Sequence, residues 1–184
     1  MKFIEVYNYF QDYPLLEKTE VKKIFPNLDD RRFYEWQQKG HLKKIANNFY
    51  VFQNKKLSGA NLRFIANRLY KPSYLSLEFA LDHHSLIPEA VFGYTSVTTR
   101  KTESFYTDIG NFYYQKIKKD LFFGYNIINE GGINYKLAEP EKALLDFLYL
   151  RSDIKTKEHL ENLRIDPFVY KEELNEQKLK NYLD

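Results

Sequence analysis

Apolar residues at Phe3, Val6, Tyr7 and Phe10 recur at helical spacing, so residues 2–12 read as an amphipathic helix with Pro14 beyond its end. Thr19 is placed to cap a second, short helix whose buried side is Val21, Ile24 and Phe25, and Pro26 stops it. Asp29 offers an N-cap for a third helix over about 30–39, with Phe33 and Trp36 as its buried stripe and Gly40 closing it. Leu28 before this helix and Leu42 after it extend the apolar side. Two strands follow as far as Phe52, joined by Asn47-Asn48, a dipeptide that tolerates the left-handed backbone of a tight turn. This order of short helices, turn and two strands predicts a winged helix-turn-helix.

Lys55-Lys56-Leu57-Ser58-Gly59 reads as a hinge. Residues 61–70 then form a helix with Leu62, Ile65, Ala66 and Leu69 on one side, ended by Pro72. A further helix is predicted over about 75–84, partly burying Leu77, Phe79, Ala80 and Leu81 and exposing Glu78 and Asp82. From Val91 the pattern changes to strands at 92–99, 103–107, 111–118, 121–128 and 133–137. Asp108-Ile109-Gly110-Asn111 and Glu130-Gly131-Gly132 supply turns. Pro140 suits the first turn of a helix whose positive end takes Glu139 and Glu141 and whose buried face is Ala143, Leu144, Phe147 and Leu148. Two more helices are expected at 156–163 and 170–183. The predicted architecture is α+β: a winged helix-turn-helix over residues 1–56, then a mixed α/β domain over 57–184 with a mainly antiparallel sheet.

At 184 residues the chain accommodates one full core, or a small module plus a medium one. Cysteine is absent, which removes disulfides, Cys zinc sites and thiol nucleophiles. The amino-terminal stretch is charged at Glu5 and lacks the apolar run of a signal peptide, and no segment approaches the ~20 apolar residues of a membrane span. The expectation is a cytoplasmic protein with no membrane partner. Charge changes the picture more. Up to Tyr70 there are 13 Lys or Arg against 7 Asp or Glu; from Lys71 onward there are 15 against 18. A basic head on a mildly acidic body points the head at a polyanion.

The third helix carries the candidate chemistry. At 100° per residue, Arg31, Glu35 and Gln38 point away from the Phe33–Trp36 stripe, flanked by Arg32, Tyr34 and Lys39. Arg pairs in bidentate fashion with guanine, Gln with adenine, and Glu accepts from cytosine N4. Arg32, Lys39, Lys43 and Lys44 are better placed for phosphates, which position a protein on double-stranded DNA without reading it. Asn47 and Asn48 complete the predicted DNA-binding set at the wing turn. Surface helices in general carry such polar residues; the order of elements around this one is what singles it out. Further along, Arg100, Lys101, Lys116, Lys118 and Lys119 fall on strand ends, where they serve either a polyanion, an acidic partner surface or simple solubility.

Catalytic patterns are missing. There is no nucleophile elbow and no phosphate loop. His83-His84 are adjacent, so on a helix their rings point about 100° apart and do not grip one ion. Asp153-Ile154-Lys155 imitates the acidic-x-Lys end of a nuclease site but has no Pro-Asp strand before it. The expectation is a non-enzyme with no metal and no cofactor.

Four separated stretches carry a family resemblance. Pro72-Ser73-Tyr74-Leu75-Ser76-Leu77-Glu78-Phe79-Ala80-Leu81-Asp82-His83-His84-Ser85-Leu86-Ile87-Pro88-Glu89, running on through Tyr94-Thr95-Ser96-Val97-Thr98-Thr99-Arg100-Lys101-Thr102, is the first. Leu42 to Phe52 with Asn48-Phe49-Tyr50-Val51, Ala138-Glu139-Pro140-Glu141-Lys142-Ala143-Leu144-Leu145-Asp146, and Arg164-Ile165-Asp166 are the others. Taken in order they resemble the AbiEi antitoxins, the DNA-binding halves of type IV toxin–antitoxin operons. The chain departs from that pattern at Asn48, where a wing glycine is usual, with Ala46 and Asn47 ahead of it. The resemblance implies an autorepressor of operator DNA at inverted repeats in its own promoter. It also implies a cognate nucleotidyltransferase toxin encoded next door, opposed without a stable complex, and a C-terminal domain that carries antitoxicity, with Arg100, Lys101 and Lys118 as the surface to test. The alternative is a non-enzymatic interaction module whose winged helix binds a protein partner.

Overall fold

In a computed structural model the chain is described over residues 2–89, 91–154, 156, 158 and 163–183. Helix α1 (Phe3–Phe10) is followed by strand β1 (Leu16–Glu17), α2 (Lys18–Ile24) and α3 (Arg31–Gln38), then by the hairpin β2 (Leu42–Ala46) and β3 (Phe49–Phe52). The three strands form an antiparallel sheet in the order β1-β3-β2. Val6, Phe10, Leu16, Val21, Leu28, Phe33, Trp36, Leu42, Tyr50 and Phe52 bury together as its core. Ile24, expected inside, is exposed instead, because α2 ends there and the chain turns away at Phe25. Thr19 lies inside α2 and donates to Glu17, which takes the N-cap position.

Helix α4 (Gly59–Leu69) starts at Ser58, whose hydroxyl accepts from the Asn61 N–H while the Asn61 side chain returns to the Ser58 N–H, a reciprocal cap. The remaining elements are β4 (Ser73–Leu75), α5 (Leu77–His83), β5 (Tyr94–Thr98), β6 (Glu103–Thr107), β7 (Gly110–Lys116), a 3-10 turn (Lys119–Leu121), β8 (Tyr125–Glu130), β9 (Ile133–Ala138), α6 (Pro140–Leu150), α7 (Pro167–Glu173) and α8 (Glu176–Leu183). Six of these strands make one sheet in the order β6-β7-β5-β4-β9-β8. Its pairing is mixed: β4–β5, β6–β7 and β8–β9 run antiparallel, whereas β5–β7 and β4–β9 run parallel.

Several predicted elements shift. The helix expected over 75–84 is preceded by β4, which sits in the middle of the sheet with Ser73, Tyr74 and Leu75 all buried. A three-residue strand covered on both faces shows no alternation, so periodicity does not reveal it. The strand expected over 121–128 begins only at Tyr125, after the 3-10 turn. The single helix expected at 170–183 is two, broken at Leu174-Asn175, where buried Leu174 enters the body core and Asn175 donates its N–H to Glu141. The helix expected at 156–163 falls largely outside the described residues.

A second core, built on Ile65, Ala66, Tyr74, Leu75, Leu77, Val97, Phe112, Tyr114, Leu137 and Ala143, lies where α4, α5 and α6 meet the large sheet. Leu15, Ile45 and Val51 from the first 52 residues join it, so the head is seated on the body by apolar contact. Among the described residues ionic contacts flank that seat: Glu17 with Arg68 at 3.0 Å and with Lys71 at 3.7 Å, and Lys43 with Asp108 at 3.3 Å.

The stretches Pro72–Leu86 and Ala138–Asp146 meet inside this core. Lys142 and Asp146 pair one helical turn apart on α6, both buried. Asp146 also accepts from the hydroxyls of Tyr74 (2.9 Å) and Ser76 (2.8 Å), and Lys142 lies over the Phe123 ring. Burial pushes the Asp146 carboxyl above its ordinary range, with the Lys142 ammonium and the two hydroxyls only partly offsetting it.

Candidate nucleic-acid interface

Helix α3 is held from three sides. Phe33 and Trp36 pack inward, with ring centroids of Phe33 and Tyr50 5.1 Å apart and of Phe3 and Trp36 5.4 Å apart. At its start the Asp29 carboxylate accepts from the Arg31 N–H at 2.9 Å, satisfying a donor the helix leaves free. Asp30 bridges Lys18 (2.8 Å) and Lys22 (3.0 Å), tying α2 to the first turn of α3. Those hydrogen bonds, Lys18 first, hold the Asp30 carboxyl below its ordinary value. Gly40, at φ +67°, ends the helix, and His41 donates its N–H back to Trp36.

With the inner stripe locked and Gln37 donating its side-chain amide to the Phe33 carbonyl at 2.9 Å, most other side chains of α3 face water. Arg31, Arg32, Tyr34, Gln38 and Lys39 are exposed, Tyr34 by 65%. Glu35 is half-buried and paired with Arg32 at 2.7 Å, so these two occupy one another. On the hairpin, Lys44, Asn47 and Asn48 are exposed, and Lys43 is half-buried in its pair with Asp108. Asn48 takes the left-handed conformation at φ +67°, which an asparagine at this turn accommodates in place of glycine. Its carbonyl accepts from the Lys18 N–H at 2.8 Å, so the hairpin turn is anchored to the start of α2. Among the described residues Arg31, Lys39 and Lys44 take part in no ion pair.

Arg100, Lys101 and Lys118 are also exposed and collect at one end of the large sheet, because β5 and β7 are parallel neighbours and all three follow the ends of those strands. Arg100 lies flat over the Tyr70 ring, 4.1 Å from its centroid, and donates to the Lys71 carbonyl at 3.3 Å. That leaves Lys101 and Lys118 as the freer charges.

The two histidines are separated in role. His84 Nε2 lies 2.8 Å from the Ala138 carbonyl oxygen, and His83 lies along Phe79, its pKa lowered by burial and by His84. Asp153 is gripped twice by Arg151, at 2.9 and 2.8 Å, and Lys155 lies outside the described residues. Among the described residues no helix is long and apolar enough to cross a membrane.

Sequence reasoning missed the polar cluster around Asp146 and a cationic cleft formed by Arg68, Lys71 and Lys136. The first had a local signal, the i, i+4 spacing of Lys142 and Asp146 on one helix. The second had none, since its residues come from α4, the loop after it and β9. Comparison of the chain with protein-family models and with curated proteins finds no match.

Proposed function

We propose that the chain is a DNA-binding regulator in which the α1–β3 unit, residues 1–56, works as a winged helix and residues 57–184 as an antitoxin domain. Helix α3 would enter the major groove, with Arg31 and Gln38 reading base edges and Lys39 and Lys44 on flanking phosphates. The observation that carries this reading is the outer face of α3 and its hairpin, where exposed Arg31, Lys39 and Lys44 have no acidic partner among the described residues. Cations left in water beside amide side chains suit a polyanion whose grooves offer both phosphates and base edges. The resemblance to AbiEi antitoxins supports the further reading: autorepression of an operator in its own promoter, and opposition to a nucleotidyltransferase toxin without a stable heterodimer. Arg100, Lys101 and Lys118 are the surface assigned to that task.

The test is fluorescence anisotropy on the DNA just upstream of the coding sequence, wild type against Arg31→Ala/Arg32→Ala, at two salt concentrations. Binding is expected to weaken steeply with salt, because each neutralised phosphate releases counterions, and to be lost in the double variant. Equal binding to scrambled DNA by both proteins would sink the reading. Purification of the chain in a stable complex with the toxin would contradict the antitoxin arrangement.

A second reading has its own support. The hairpin turn carries Asn47 and Asn48 and no cation, Arg32 is occupied by Glu35, and Tyr34 presents an exposed ring beside them. Such a surface also suits a protein partner, and salt-insensitive binding without sequence preference would select that alternative.

A further inference from the structure

Helix α4, the loop after it and strands β4, β8 and β9 enclose a cleft of about 450 Å³. That size falls within the range of small-molecule sites, about 300–1,000 Å³. Three cations line it, Arg68, Lys71 and Lys136, and no carboxylate does. Phe64, Ile127 and Tyr135 supply apolar walls.

Two lining residues have buried polar atoms without a hydrogen-bond partner, Asn67 Nδ2 and Ser73 Oγ. The Asn67 side-chain oxygen is engaged by the Lys136 N–H, which fixes the amide and leaves its NH₂ over. Ser73 is only 2% exposed, in the central strand β4. Buried donors are almost always satisfied in folded proteins, so these two, in a cleft lined by three cations, suit an acceptor-rich, negatively charged group.

Among the described residues the carboxylate that pairs with these cations is Glu17 of the head; Glu20, whose pKa is lowered first by its hydrogen bond from Lys23, is near enough that Arg68 and Lys71 help lower it. Glu17 Oε2 lies 3.0 Å from Arg68 and 3.7 Å from Lys71. Lys136 has no ion pair among the described residues and rests over the Tyr125 ring. We propose that this cleft binds a small organic anion, an aromatic or short aliphatic body bearing a carboxylate or phosphate, and that the bound anion competes with Glu17 for Arg68 and Lys71. Glu17 directly precedes Lys18, which holds both Asp30 and the Asn48 carbonyl. Competition at Glu17 is therefore felt at the start of α3 and at the hairpin turn. The site stands without the DNA-binding reading; only its consequence for operator affinity rests on it.

The test uses the full chain labelled with ¹⁵N and titrated with benzoate, with phenyl phosphate and with neutral benzyl alcohol, in the absence of DNA. At least one aromatic anion is expected to give saturable shifts at the amides of Asn67, Ser73 and Lys136, accompanied by shifts at Glu17 and Lys18. Its apparent Kd is expected to weaken at least fivefold in Lys136→Gln and in Lys71→Gln, whose spectra otherwise match the wild type. Absence of saturation with both anions, equal affinity for benzyl alcohol, or unchanged affinity in the two variants would overturn the site. Cleft shifts that leave Glu17 and Lys18 in place would overturn the competition with the head. Because no DNA is present, none of these results depends on whether the head binds an operator.

Discussion

Helices α3 and α6 both carry charge close to their first turn, and the protein uses that charge in opposite ways. In α3, Arg31 and Arg32 stay in water while Phe33 and Trp36 hold the helix down. In α6, Glu141, Lys142 and Asp146 are buried, at 3%, 3% and 2% exposure, and they hold the helix down themselves. Glu141 accepts from the Asn175 N–H, and Lys142 and Asp146 join Tyr74 and Ser76 in one network. A charged residue therefore says little about its place until its partners are known. The outer face of α3 is available for a ligand; the charges of α6 are spent on the fold.

The contrast is most sharply tested at Asp146. Asp146→Ala leaves Lys142 without its partner and two hydroxyls without their acceptor, and a loss of ~3–5 kcal/mol is expected in chemical denaturation. Adding Lys142→Met should recover part of that loss, since the second change removes the uncompensated charge. Additive losses in this cycle would mean the two side chains do not act as a pair.

Gly124 probes the same network from outside. It adopts φ +70°, and an added Cβ would sit 2.9 Å from the Lys142 side chain. Gly124→Ala should cost ~1–3 kcal/mol through the backbone conformation alone, with the contact on Lys142 adding to it. A thermal midpoint equal to the wild type would show that neither the left-handed backbone at Gly124 nor its approach to Lys142 constrains this position.

The two aspartates that anchor these helices should respond to pH with opposite signs. Asp30 is held below its ordinary value of 3.8, so its contribution is present above that value and is lost as pH falls through the lower folded value. Asp146 is pushed above 3.8, so the folded state keeps its proton longer and stability declines as pH rises from 3.8 through the higher folded value. Denaturation midpoints of Asp30→Asn and Asp146→Asn, each measured against the wild type across acid pH, should give differences of opposite slope. Parallel slopes would break the comparison.

The smallest effect is expected on the α3 face. Arg31→Ala and Lys44→Ala should change stability by less than ~0.5 kcal/mol, because both side chains are exposed and outside any ion pair among the described residues. A larger loss would move them from the proposed binding surface into the fold.

Much of the head was legible along the chain. Periodicity placed α1 and the Phe33–Trp36 stripe, and Gly40 and Asn48 marked the two positions that take a left-handed backbone. These are local matters, decided by side-chain spacing and by which residues tolerate positive φ. The outward side of α3 followed from the same geometry, so exposure of Arg31, Gln38 and Lys39 was readable, whereas the pairing of Lys43 with Asp108 joined residues far apart in sequence and was not.

In the body, the sequence by itself determined where turns fall, at Asp108-Ile109-Gly110 and Gly131-Gly132, and where α6 begins, at Pro140. Only the tertiary structure decided that Ser73–Leu75 is a central strand, that α6 buries its charges, and that Arg68, Lys71 and Lys136 share one cleft. Local pattern reports what a residue prefers, but burial, ion pairing and cavity walls depend on partners that folding brings from elsewhere in the chain.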